Sequence, residues 1–299
     1  MALMSLALAG TLAVTALAAP DRAAPAVSCT SGKAGLAAKL RRDITTALSD
    51  RGGTVAIGLR DPRTNTTCTL RRHVRFDSAS IVKVTLLATL LWDAERKDRY
   101  LTDWEESLIA SMITKSSNSA TRTLWGRVGV NKVRSFLHEA GMTQTVPGPK
   151  GYWGLTRTTV RDQQRLLALF TKENPLLGAD ARAAILRLMN QVTGAQRWGT
   201  PAGAPATVTV HVKNGWLPRA THGWRVHSTG VFRRHGRTYT ITVLTQDNET
   251  KTYGVNTIQS VARAIHRNLN PASRTAVVHT PPPTPAEVIP PLPPGRRGA

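Results

Sequence analysis

The sequence predicts an α/β chain of the α+β kind, with one antiparallel sheet drawn from both chain ends beside an all-helical lobe. Three observations carry this expectation. Two short strand-like runs, residues 54–59 and 66–70, come early in the chain. Three more, residues 206–212, 224–233 and 238–245, come late. Between them lie segments in which apolar residues recur at helical rather than alternating spacing.

Each element has its own signal. Asp61-Pro62-Arg63-Thr64-Asn65 is turn chemistry, so the first two strands form a hairpin. Helices are expected over 80–95, 103–114, 118–127 and 131–140, with Gly141 as C-cap of the last. Residues 158–171 and 179–191 read as two more, and 253–269 as the closing helix. His235-Gly236 supplies the turn between the last two strands.

The chain ends have different compositions. Residues 1–19 are rich in Ala, Leu and Val and run into Leu17-Ala18-Ala19-Pro20, so residues 1–27 read as a secretory signal. It lacks a basic leading segment, so the true start of the signal is expected upstream. Residues 28–270 form the expected folded domain, and 271–299 a proline-rich, extended tail. The protein is therefore expected to be secreted, extracellular or associated with the cell wall. The two cysteines, Cys29 and Cys68, agree with export, either as a disulfide tying the N-terminal arm to the sheet edge or with Cys29 lipidated after Ala26-Val27-Ser28.

The chain carries 40 Lys and Arg against 18 Asp and Glu, a formal net charge of +22. The surplus is scattered, without a helix-turn-helix, zinc-ligand or RNA-binding aromatic pattern, so nucleic acid is not an expected partner. Anionic cell-wall polymers and lipid headgroups are the natural polyanions for an exported protein. No metal-ligand spacing or phosphate-cradling glycine loop is present, so no metal and no cofactor is expected. A monomer is expected.

Ser80-Ile81-Val82-Lys83 opens the helical stretch at residue 80. Residues three apart share a helix face, so the Lys83 amine can reach the Ser80 hydroxyl. A serine needs such a base to become a nucleophile, and a lysine is one only where burial or nearby charge lowers its pKa. Lys115-Ser116-Ser117-Asn118 follows between two helices, and Lys213-Asn214-Gly215 ends an alternating run. In this order and setting the three segments resemble those of the penicillin-recognising serine hydrolases, the class A β-lactamases and low-molecular-mass penicillin-binding proteins.

The resemblance, spanning roughly residues 30–270, implies the β-lactamase/transpeptidase-like fold and a site in the cleft between its lobes. It implies Ser80 as nucleophile, Lys83 as its proton acceptor and Ser116 as the shuttle to the leaving nitrogen. Asn118 would contact the substrate amide. Lys213, facing Ser116, would supply charge for a substrate carboxylate, with Asn214 and Gly215 beside it. Arg225 is expected either to flank Lys213 as a carboxylate clamp or to be an edge-strand charge. Among the histidines, His211 reads as interior, and His222 and His227 as loop and strand-surface residues. Trp153, Trp216 and Trp224 are expected in the cleft or in the core.

The sequence departs from the family pattern in a shorter run between Ser80 and Ser116 and in three further places. Ser117 stands where the family has Asp, and Asn214 where it has Thr, an amide that can still donate to a carboxylate. The third is an absence: residues 141–155 contain no Glu or Asp, although class A enzymes use a loop glutamate to activate the deacylating water. The expectation is an enzyme acylated at Ser80 by β-lactam or D-alanyl-type donors, with slow deacylation. The alternatives are a non-catalytic muropeptide or antibiotic binder on the same fold, and an esterase or peptidase for another acyl group.

Overall fold

In chain order the elements are β1 (Ser28–Thr30), α1 (Leu36–Leu48), β2 (Thr54–Asp61), β3 (Thr66–Leu70) and β4 (Phe76–Asp77). A 3₁₀ turn, Ala79–Ile81, then runs into α2 (Val82–Arg96). Next come α3 (Asp103–Thr114), α4 (Asn118–Val128), α5 (Val130–Glu139), β5 (Arg157–Thr158), α6 (Val160–Thr171) and α7 (Ala179–Asn190). The chain closes with β6 (Thr209–Pro218), β7 (Trp224–Arg234), β8 (Arg237–Asn248) and α8 (Lys251–Leu269). This is a computed structural model, and it describes residues 26–234 and 236–271. The expected signal segment up to residue 25, the tail from residue 272 and His235 of the expected turn lie outside the described residues.

Six strands form one antiparallel sheet in the order β1-β3-β2-β8-β7-β6. The two chain ends meet where β2 pairs with β8, from Thr54 opposite Gln246 to Arg60 opposite Thr240. The sheet drawn from both ends is thus the observed one. Helices α1 and α8 close one face, where Leu40, Ile44, Val255, Ile258 and Ile265 share a core with sheet residues. The helical lobe covers the other. Every residue of α2 from Val82 to Ala94 is buried, which suits its run of Leu, Val and Ala on all sides.

Besides the short strands β1, β4 and β5, which the sequence reading does not include, three elements differ from the sequence expectation. Helix α1 went unread because its apolar stripe is only Leu36, Leu40 and Ile44 and its ends carry no signal. Gly35 caps it without a side-chain bond, and its first turn has no acid and its last no base. Strand β6 starts later than expected and runs on through Trp216 and Leu217, so Lys213-Asn214-Gly215 lies within the strand instead of ending it. Ser80 belongs to the 3₁₀ turn, not to the helix that follows.

Cys29 and Cys68 sit opposite one another across β1 and β3, with their Cα atoms 4.1 Å apart, and form a disulfide. With its sulfur in the bridge, Cys29 is not available for lipid. The bridge closes a separation of 39 residues. In the chain-entropy account, a loop of this size stabilises by about 3 to 4 kcal/mol. Urea unfolding with and without reductant should show a loss of that order; an unchanged midpoint would refute it.

Candidate active site

The turn carrying Ser80 is held from two sides. Strands β4 and β5 pair Phe76 with Thr158 and Asp77 with Arg157, and the Ser78 N–H donates to Thr156 O at 2.7 Å. Across the turn runs β6, whose Gly215 approaches so closely that a Cβ there would lie 2.7 Å from Ser80 N and 2.9 Å from Ile81 N. Between them Ala79 is forced to φ 48, a left-handed conformation costly for a residue with a side chain. Ser80 retains 6% of its exposure.

Lys83, one turn along, is fully buried. Its amine donates to Ser116 O, to Ser116 Oγ at 3.1 Å and to Asn118 Oδ1 at 2.8 Å. From the opposite side Lys213, also fully buried, donates to the same Ser116 Oγ at 3.0 Å and to Asn214 O at 3.2 Å. A hydroxyl accepts two hydrogen bonds and donates one. With a lysine on each lone pair, the Ser116 proton is left to point away, available to a third group. Ser116 is held at φ 59, a second strained residue in one small site.

Ser117 explains how the second segment works without Asp. It is the N-cap of α4, and its hydroxyl accepts from Ala120 N at 3.2 Å. Serine caps a helix about as well as aspartate, so the loop is anchored without the carboxylate. The first five predicted residues (Ser80, Lys83, Ser116, Asn118 and Lys213) and Gly215 are therefore brought together by three separate elements.

A profile of the β-lactamase enzyme family matches residues 39–104 and 105–269. The chain belongs to that family. Among solved structures, a class A β-lactamase representative from Bacteroides cellulosilyticus superposes with a TM-score of 0.68 at 18% identity, covering 78% of this chain and 98% of that one. The β-lactamase from Sphaerobacter thermophilus gives 0.66 at 19% identity, covering 79% and 99%. The protein PBP-A gives 0.66 at 17%, covering 78% and 96%. No curated protein matches the chain in sequence. The fold is that of class A β-lactamases, and the protein is a serine hydrolase of that family acting on amide bonds.

Against this family frame, two expected carboxylate contacts look different. Asn214 is fully buried, and its amide NH₂ donates to Gln196 O at 2.7 Å and Trp198 O at 2.9 Å. Both partners are carbonyls, so the nitrogen must face them and both its hydrogens are committed to the 194–200 segment. Asn214 secures a wall of the site and has no donor left for substrate. Arg225 pairs with Leu217, four residues along β6 from Lys213. Its guanidinium lies 3.3 Å from Asp77 Oδ2 and donates to Thr221 O and Gly223 O. It does not flank Lys213, nor is it an edge charge, being 4% exposed.

The histidines divide similarly. His211 is interior as expected, with Nδ1 2.7 Å from Leu186 O. His222 is exposed, 2.6 Å from Asp247. His227, expected on a strand surface, is fully buried between Asp77 O and Thr245 N.

The segment after α5 supplies no acid to the site. Asp162 is buried, but it accepts from Gln144 N and Thr145 Oγ1, both at 2.8 Å, and from Arg161 at 3.0 Å. It fastens the start of this segment to α6. Glu139 lies 3.4 Å from Arg96 on the surface. What the segment does bring is Trp153, 6% exposed, whose ring centroid is 4.8 Å from Lys83 Nζ. Of the three candidate tryptophans it is the one at the site. Trp216 packs behind β6 against Trp198 at 5.8 Å, and Trp224 is half-buried at the start of β7. Position alone marks Trp153 in the sequence, on the segment where the family keeps its glutamate.

Proposed function

We propose that Ser80 is acylated by β-lactam or D-alanyl-type donors and that the acyl-enzyme is long-lived. One observation carries this reading: two fully buried lysines, Lys83 and Lys213, converge at 3.1 and 3.0 Å on the single hydroxyl of Ser116, and Lys83 stands one turn from Ser80. Burial is the setting in which an amine serves as a base. In the proposed sequence, Ser80 Oγ attacks the acyl carbonyl as its proton passes to Lys83. Ser116 then delivers a proton to the departing nitrogen, and Lys83 replenishes it. Asn118 holds the substrate amide, and Lys213 provides positive charge for an anionic donor.

Slow deacylation follows from the segment 141–158. Hydrolysis needs a base that positions water against the acyl carbon. The carboxylates nearest in sequence are Glu139 and Asp162; one is tied to Arg96 and the other to Gln144, Thr145 and Arg161. Trp153 presents an apolar face to Lys83 instead. The committed amide of Asn214 favours the second reading, a binder that retains the fold without chemistry. A fluorescent penicillin separates the two on a denaturing gel. The wild type should carry the label for many minutes and Ser80→Ala none. Equal labelling of both, or of neither, refutes acylation at Ser80.

The same reading includes export, with residues 1–27 as a removed leader and 28–270 as the working domain. The disulfide between Cys29 and Cys68 supports it, because such bridges persist in oxidising compartments.

A further inference from the structure

Three clusters of cations differ in how their charge is matched. Around a cavity of about 500 Å³, Lys97 and Lys132 close on Asp93 at 3.1 and 2.7 Å, while Arg99 and Arg127 close on Glu105 at 2.9 and 3.1 Å. Near the Ser80 turn, Arg219 and Arg225 share Asp77 at 3.5 and 3.3 Å. In these two groups each carboxylate is shared by two cations, so the surplus is small.

The third group has a larger surplus. At the hairpin end of the sheet two grooves of about 460 and 300 Å³ adjoin, with Gly236 and Thr238 in the lining of both. Arg60, Arg63 and Lys172 line the first; Arg233 and Arg237 line the second. Neither lining contains a carboxylate among the described residues. Asp61 beneath them is fully buried and spent: it bonds Arg237 Nε at 3.1 Å, Arg63 N at 3.1 Å and Thr64 Oγ1 at 2.7 Å. Arg60, Arg63, Lys172 and Arg233 are exposed. Arg233 pairs with Thr209, four residues from the Thr229–Lys213 pair. At the strand rise the grooves therefore begin roughly 13 Å beyond Lys213, outside the Ser80 site.

We propose that these two grooves form a docking surface for a base-free polymer of successive phosphate groups, as in a polyphosphate. Cations gathered in a concavity without carboxylates raise the local positive potential and favour an anionic occupant. Arginine forks match phosphate oxygens in pairs, and the hydroxyl of Thr238, in the lining of both grooves, adds a neutral donor. Two cation sets on either side of a common floor suit anions repeated along a chain better than one isolated ion. The net charge of +22 speeds the approach of any such chain.

The test is a fluorescence-anisotropy titration of the full chain with a labelled inorganic polyphosphate at several salt concentrations. Arg60→Ser/Arg63→Ser/Arg233→Ser is compared with Arg122→Ser/Arg134→Ser/Arg187→Ser, which removes the same charge from the exposed surface of the helical lobe. The groove variant should bind at least about tenfold more weakly and reduce the slope of log Kd against log salt by about two to three. The lobe variant should retain nearly wild-type binding. Equal losses in both would mean a diffuse basic surface and overturn the proposal, as would the absence of saturable binding to wild type. Tighter binding of a single-stranded oligonucleotide of equal charge through the same arginines would also overturn it, in favour of nucleic acid. Penicillin labelling of Ser80 in the groove variant checks that the fold is intact.

Discussion

Gly215→Ala is expected to lower the rate of Ser80 acylation by about a hundredfold or more, since misplacing reacting groups by about 1 Å costs that much. The new methyl carbon would lie 2.7 Å from Ser80 N, 2.9 Å from Ile81 N and 3.1 Å from Ser78 O. All three are backbone atoms of one turn, itself fixed by the bond from Ser78 N to Thr156 O and by strained Ala79. None can rotate aside, so strand and turn must separate. That moves Ser80 away from Lys213, which sits on the same strand two residues back. Gly58 gives the contrast. A Cβ there would meet Val160 Cγ1 at 2.6 Å and Gln164 Cγ at 2.7 Å, side-chain atoms that can shift. Gly58→Ala should cost stability of about 1 to 3 kcal/mol, as overpacking does, with little change in acylation. The measurement is the second-order rate of fluorescent-penicillin labelling, beside a thermal melt. Wild-type labelling by folded Gly215→Ala would show that the close approach has no bearing on the chemistry.

This glycine shows what could be read from the sequence and what could not. The three motif segments were legible because each couples residue identity to local structure: Ser80 and Lys83 one turn apart, Ser116 at a break between helices, Lys213 on an alternating strand. Helix α3 was legible to the residue. Its Thr102 side chain accepts from Glu105 N while Glu105 returns to Thr102 N, so both capping signals are local. The role of Asn214 is not legible in the sequence because it depends on Gln196 O and Trp198 O, which only the fold brings near. His227 was misread for a related reason. Strand β7 is buried on both faces, so alternation along it does not separate inside from outside. For Arg225 the sequence leaves open a place beside Lys213 or on an edge, whereas antiparallel register sets it opposite Leu217 on an inner strand. Helix α1 had a buried stripe but no caps, and the absence of terminal signals hid it.

The buried histidines also predict how the protein fails in acid. His227 donates from Nε2 to Asp77 O at 2.8 Å, because its Nδ1 must accept from Thr245 N at 3.2 Å. His266 sits in the same way, with Nε2 2.8 Å from Thr200 O and Nδ1 2.9 Å from Tyr239 Oη, whose proton it can accept. Each ring is neutral, fixed in one tautomer and surrounded by protein. Burial pushes both down from 6.5 to about 4. The unfolded chain therefore binds two more protons than the folded one between those values, and stability rises with pH across that window. The stabilisation is complete above pH 6.5 and is lost as pH falls towards 4. Two protons correspond to about 2 to 3 kcal/mol per pH unit at the steepest point. His211, lowered chiefly by burial, acts in the same direction. Glu105 works at lower pH: bonds from Arg99 hold it at about 2, so its contribution is intact above its ordinary 4.5 and lost as pH falls towards 2. Urea unfolding at half-unit intervals from pH 7.5 to 4 should show the drop, and His266→Gln should halve its slope, since glutamine cannot take up the proton. A flat profile down to pH 4.5 would mean that these imidazoles are protonated in the native state. That would require a second acceptor on each ring: Tyr239 Oη could turn to accept from His266, but beside His227 the fold presents only the Thr245 N–H, a donor.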